Sequence, residues 1–180
     1  MCGIYLNQGR VVLLMMYLPI AAILYNTDNL LILLGQDPEV SNLAGQYVRC
    51  MLPGILGMAL FDLNKTFLNA VHQTLIPTFI QMCAVPLHLM WAFLIVDFYG
   101  FGFLGACYAL NITYLTLCIG ITLYSSKLFA IKEAWFFSSG SQIWGGILIY
   151  LNLGAPGSIM VGIGYLATEI MTLFSGYLGL

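Results

Sequence analysis

The sequence predicts an all-α integral membrane protein with about five transmembrane helices. Three observations carry that prediction. Of 180 residues, 61% are hydrophobic and 7% are charged, where soluble domains carry roughly 25% charged residues. The mean hydropathy is +0.96. The apolar runs are about 20 residues long, the length of a membrane-crossing helix rather than of the ~10-residue alternating strands of a barrel.

The first apolar run is Val11 to Tyr25; it meets the polar cluster Asn26, Thr27, Asp28 and Asn29 and resumes through Leu34, which predicts span one over about 11–34. The break GQDPEV then starts a helix, with Asp37 as N-cap, Pro38 at the first helical position and Glu39 beside the positive helix end. Span two is predicted over 39–63, kinked at Pro53, and is followed by the polar stretch DLNKTFLNAVHQT. Span three covers 76–96, with Pro77 in its first turn and Pro86 as a second kink. The turn from Asp97 to Gly102 leads to span four, 103–124, where Gly105, Ala109, Thr113, Thr116 and Gly120 form a small-residue stripe suited to close helix packing. Residues 138–153 include an apolar run too short to span, and predict an interfacial helix or the entry to span five.

Span five, PGSIMVGIGYLATEIMTLFSG, is apolar except for one ionisable residue, Glu169. At helical spacing Ser158, Gly162, Tyr165, Glu169, Thr172 and Gly176 fall on one stripe, and Ile159, Ile163, Leu166, Ile170, Leu173 and Tyr177 on the other. A carboxylate at bilayer depth costs ~2.5–3.5 kcal/mol on insertion scales, so it faces a bundle interior or a wet cavity. Two readings fit: a proton- or cation-binding carboxylate in a transport pathway, or a protonated Glu hydrogen-bonded between helices for packing alone.

With five spans, Arg10, Lys65, Lys127 and Lys132 fall on one side and Asp28, Asp37, Glu39 and Asp97 on the other. The positive-inside rule then places the N-terminus in the cytoplasm. Arg49 departs from the pattern; it either snorkels outward or pairs with a carboxylate elsewhere. A net charge of −2 carries no message about nucleic acid, there is no basic patch, and no nucleic-acid partner is expected. Cys2, Cys50, Cys83, Cys107 and Cys118 have no paired spacing and read as small apolar residues, neither disulfides nor metal ligands. His72 and His88 have no second ligand at metal-binding spacing, and the start of the chain has no secretory-signal pattern. The sequons at Asn64 and Asn111 fall on the cytoplasmic side and inside a span, so neither accepts a glycan. Without a catalytic motif or a phosphate-binding glycine loop, no enzyme is predicted.

The segment LLGQDPE at 33–39, followed by Ala44, Gly45, Gln46, Tyr47, Pro53 and Gly54, resembles the multidrug and toxic compound extrusion (MATE) family, eukaryotic branch. The similarity continues through Phe67, Leu68, Asn69 and Ala70, then Pro77, Leu87, His88 and Trp91, then Gly102, Gly105 and Ala106. It ends with Pro156, Thr168, Glu169, Leu173, Phe174, Ser175 and Gly176. These matches occur in family order and align the five spans with the third to seventh helices of a twelve-helix, two-lobe fold. The resemblance implies that residues 1–137 are part of the first lobe, 138–153 the inter-lobe linker and 154–180 the truncated first helix of the second lobe. It implies a secondary antiporter that exports organic, often cationic, compounds in exchange for protons or sodium ions, with no cofactor beyond that gradient. Plasma membrane and internal vacuolar or vesicular membranes both fit.

Under this resemblance Glu169 matches the second of two glutamates tied to cation coupling; the position of the first is Gly164 here. Tyr165, Thr172, Asn69 and Gln73 are candidates to line the substrate cavity. The family's remaining helices have no counterpart in the sequence, and alternating access needs two lobes about a shared site. The expectation is therefore a truncated MATE chain that needs the missing helices or a partner subunit for activity. Two alternatives stay open: a non-transporting membrane fragment packed against a partner, and a related flippase-like transporter of lipid-linked substrates.

Overall fold

A computed structural model describes residues 2–127 and 141–178. Its elements are all helical: α1 Cys2–Tyr25, α2 Thr27–Leu33, α3 Pro38–Ala70, α4 Leu75–Ala92, α5 Gly102–Lys127 and α6 Ser141–Leu178. Among the described residues, five helices are long and apolar enough to cross a membrane: Ile4–Tyr25, Pro38–Ala70, Leu75–Phe98, Gly102–Lys127 and Gly146–Thr172. The chain divides into two units, Met1–Ser138 and Ser139–Leu180.

In the first unit α3 is the central post. It packs against α1, α2 and α5, and α5 in turn packs against α4. Side-chain links fix the directions. Tyr17 Oη donates to Leu52 O at 2.7 Å, and Arg49 Nε donates to Tyr25 O at 3.0 Å, so α1 runs antiparallel to α3. Asn111 Nδ2 donates to Cys50 O at 2.8 Å and Cys107 Sγ to Tyr47 O at 3.6 Å, so α5 runs parallel to α3. The apolar core gathers where α1 begins, α3 ends and α5 ends: Leu6, Phe61, Leu68, Ile76, Leu117 and Ile121 are all buried.

The helix ends follow from local chemistry. Asp37 caps α3 as expected, accepting from the amides of Glu39 and Val40 at 2.8 and 3.4 Å, with Pro38 at the first position. Gly35 closes α2: its φ is +83°, its amide donates to Ile32 O, and Gln36 N donates to Leu31 O. The same closure ends α3 at His72, φ +60°, with its amide on Asn69 O and Gln73 N on Leu68 O. The last turn of α4 widens over Phe93–Phe98, where Tyr99 N donates to Leu94 O at 2.9 Å, and Gly100 and Gly102 turn the chain at φ +68° and +55°.

Three expected boundaries are corrected. Span one is Ile4–Tyr25 rather than 11–34. Asn7, Gln8 and Arg10 enter the helix because the bundle buries Asn7 and Gln8 and bonds the half-buried Arg10, which donates to Asn7 Oδ1 at 3.1 Å and Asn64 Oδ1 at 3.3 Å. The helix breaks at Asn26, where Asn26 Nδ2 and Thr27 Oγ1 take the carbonyls of Ala22 and Leu24, and α2 becomes a separate short element. Span two does not end at residue 63: α3 has 33 residues, about 50 Å of helix, well past a ~30 Å hydrocarbon core. Its extra turns are held by Asn64, Phe67 and Leu68, all buried. Finally, the linker expected over 138–153 is helix from Ser141 onward, continuous with Pro156 and Glu169 in the 38-residue α6; 138–140 lie outside the described residues.

Candidate functional site

The sequence-derived candidates fall into two sets. Tyr165, Glu169 and Thr172 lie within two turns of α6, on one face with Ser158 and Gly162, and all three side chains are exposed in their unit. Thr172 Oγ1 donates its single proton to Thr168 O at 2.9 Å. The hydroxyl one turn from Glu169 therefore presents oxygen lone pairs to its surroundings, not a proton. Thr168 is committed likewise, donating to Tyr165 O at 2.7 Å. Asn69 and Gln73 sit elsewhere, in the cap that closes α3: Asn69 is exposed in the last turn, Gln73 half-buried just beyond it.

Polar groups outside that candidate set are brought together in the first unit. His88 Nδ1 lies 2.9 Å from Thr113 Oγ1, which itself donates to Ala109 O at 2.9 Å. The threonine has one proton, so the ring nitrogen is the donor, which assigns the proton to Nδ1 and leaves Nε2 for another partner. The pair borders a groove of about 320 Å³ between α4 and α5, lined also by Gln81, Leu110, Tyr114 and Leu117.

Asn111 is buried between α3 and α5. Its Nδ2 donates to Cys50 O and to Cys107 O at 3.1 Å, while Oδ1 lies against Gly54. No spacing rule in a single sequence links residues 50 and 111; their shared membrane depth is set by the helix packing. The exceptional Arg49 resolves to the pairing alternative. Its guanidinium forms an ion pair with Asp28 and stacks over Tyr25 at 5.1 Å. Gly45, one turn earlier on α3, makes room, since a Cβ there would meet Asp28 Cβ at 2.8 Å. Arg49 and the Asn29 amide hold the Asp28 carboxyl below the usual carboxylate range.

The resemblance implies four spans of a first lobe and the opening helix of a second, which bears Glu169, and direct comparison decides the family. The model of the MatE family matches residues 1–94. The chain belongs to the MatE family. Among curated relatives, an uncharacterized transporter of Schizosaccharomyces pombe, C4B3.13, is 32% identical over 183 residues, covering 99% of this chain and 33% of its own length. Protein DETOXIFICATION 16 of Arabidopsis thaliana is 29% identical over 186 residues, covering 99% of this chain and 36% of its own. The chain thus spans about a third of the length of the curated relatives it matches. The crystal structure of the eukaryotic MATE transporter AtDTX14 shares the fold, with a TM-score of 0.85 at 22% identity over 97% of this chain and 39% of that one. The MATE fold expected from the motifs is therefore found, as a multi-pass, all-α membrane chain.

Proposed function

We propose that this chain is part of a MATE-type secondary antiporter that exports organic, often cationic, compounds in exchange for protons or sodium ions. The observation that supports it most is Glu169, the ionisable residue in the apolar stretch of α6, on a polar stripe in a chain of the MatE family. The names of its relatives, transporters and DETOXIFICATION proteins, agree with an export role. Beside Glu169, Thr172 offers an acceptor oxygen, which suits a proton or a hard cation shared between carboxylate and hydroxyl. In this reading a bound ion and a bound organic cation compete for the carboxylate, so arrival of one releases the other. Tyr165 and Thr172 contribute to the substrate surface, and Asn69 and Gln73 to its mouth. The N-terminus faces the cytoplasm, with the missing helices supplied by a longer chain or by a partner.

The test is export of a fluorescent organic cation from vesicles containing the protein, under an imposed proton gradient or an imposed sodium gradient. Gradient-driven export by the native sequence and its loss in Glu169→Gln are expected. Undiminished export in Glu169→Gln would remove the coupling role from that residue, and export by neither would remove the antiporter reading from this chain.

A further inference from the structure

Spacing in the sequence gives no reason to pair any of the cysteines, yet the fold brings two of them together. Cys50 lies on α3 and Cys107 on α5, the two helices with the most extensive packing seam in the unit. Asn111 Nδ2 reaches both sulfurs, Cys50 Sγ at 3.8 Å and Cys107 Sγ at 3.5 Å, so the two thiols flank one amide nitrogen. Cys107 is buried and Cys50 half-buried.

We propose that Cys50 and Cys107 form a dithiol site for a soft d10 metal cation that is satisfied by two sulfur ligands, of which mercury(II) is the type. Thiolates select soft cations. Zinc prefers four ligands, and among the described residues no group of three or more His, Cys, Asp or Glu is placed to hold a metal. On binding, two S–H bonds are replaced by two metal–sulfur bonds; both protons leave to water, and no electrons are transferred. A divalent cation and two thiolates make a neutral complex, which suits an apolar seam where a residual charge is costly. A monovalent soft cation would leave one negative charge there and should bind less tightly. Asn111 Nδ2 gives its two protons to Cys50 O and Cys107 O, and turning one of them to a neighbouring thiolate would orient that sulfur. The bound metal would staple α3 to α5.

The test uses the 180-residue chain in lipid nanodiscs with Cys2, Cys83 and Cys118 changed to Ala, which leaves Cys50 and Cys107 as its thiols. It is loaded with mercuric chloride and washed with excess monothiol. Expected are one retained mercury per chain and two sulfurs around it by X-ray absorption. Cys50→Ala and Cys107→Ala should each lower affinity by at least ~100-fold, the upper end of what losing a supporting partner alone does. Circular dichroism checks that each variant is folded, and the X-ray measurement needs neither variant. A single sulfur at the metal, full retention in either variant, or zinc(II) held as tightly as mercury(II) would overturn the proposal.

Discussion

At Gly54, α3 lies close against Asn111 of α5, and the cost of a single methyl group there can be stated. A Cβ would lie 2.4 Å from Asn111 Oδ1 and 3.2 Å from its Cα, so the helices must separate or Asn111 must leave Cys50 O. Gly54→Ala should destabilise the protein by about 1–3 kcal/mol, the usual range for overpacking, measured by thermal unfolding in detergent. Gly120 is the control: a Cβ there meets only Ile80 Cγ2, at 3.5 Å. Gly120→Ala should be neutral or stabilise by up to about 1 kcal/mol, because helical glycine costs backbone entropy. At His72 the sign reverses, since a side chain occupies a left-handed cap position at φ +60°. His72→Gly should raise stability by about 1 kcal/mol in the same assay; unchanged or lower stability would mean that the histidine side chain contributes more than the strain removes.

Elements are joined by groups that the sequence shows but does not connect. The bend from α1 into α2 is fastened to α3 through Asp28 and Arg49. Asp28 is held below its unfolded value near 3.9, so its pairing stabilises the protein above that pH and is lost as pH falls through the lower folded value. Native protein should therefore lose thermal stability as pH drops below about 4, and Asp28→Asn should flatten that part of the profile. An equally steep profile in the variant would assign the acid sensitivity elsewhere. The Asp37 cap with Pro38 was legible because it is a local pattern, complete within four residues. The start of span one was not, because Asn7, Gln8 and Arg10 look like a pre-membrane segment until Asn64, 54 residues away, receives the guanidinium. The small-residue stripe on α5 was legible as a packing face, but it faces α4, through Thr113 and Gly120. The tightest seam uses Gly54 and Gly57 of α3 against Asn111 and Tyr114, which needs the register of two helices.

At the scale of the whole molecule, composition and run length were enough for the membrane class, and ordered motifs such as LLGQDPE were enough for the family. Continuity of α6 was legible only as one of two alternatives, entry to span five or an interfacial helix, because the apolar run ahead of Pro156 is short and a proline reads as a boundary; the helix carries through it for 38 residues. The polar stripe around Glu169 was read from periodicity, and α6 places Ser158, Gly162, Tyr165, Glu169 and Thr172 on one face because the helix is unbroken there. Its function is the central claim. The most direct measurement follows the ion and not the substrate: vesicles containing the protein, loaded with a pH-sensitive or sodium-sensitive dye, receive an organic cation on one side. The account predicts an opposing proton or sodium flux that appears on addition and is abolished in Glu169→Gln. An ion flux of equal size in Glu169→Gln would contradict it.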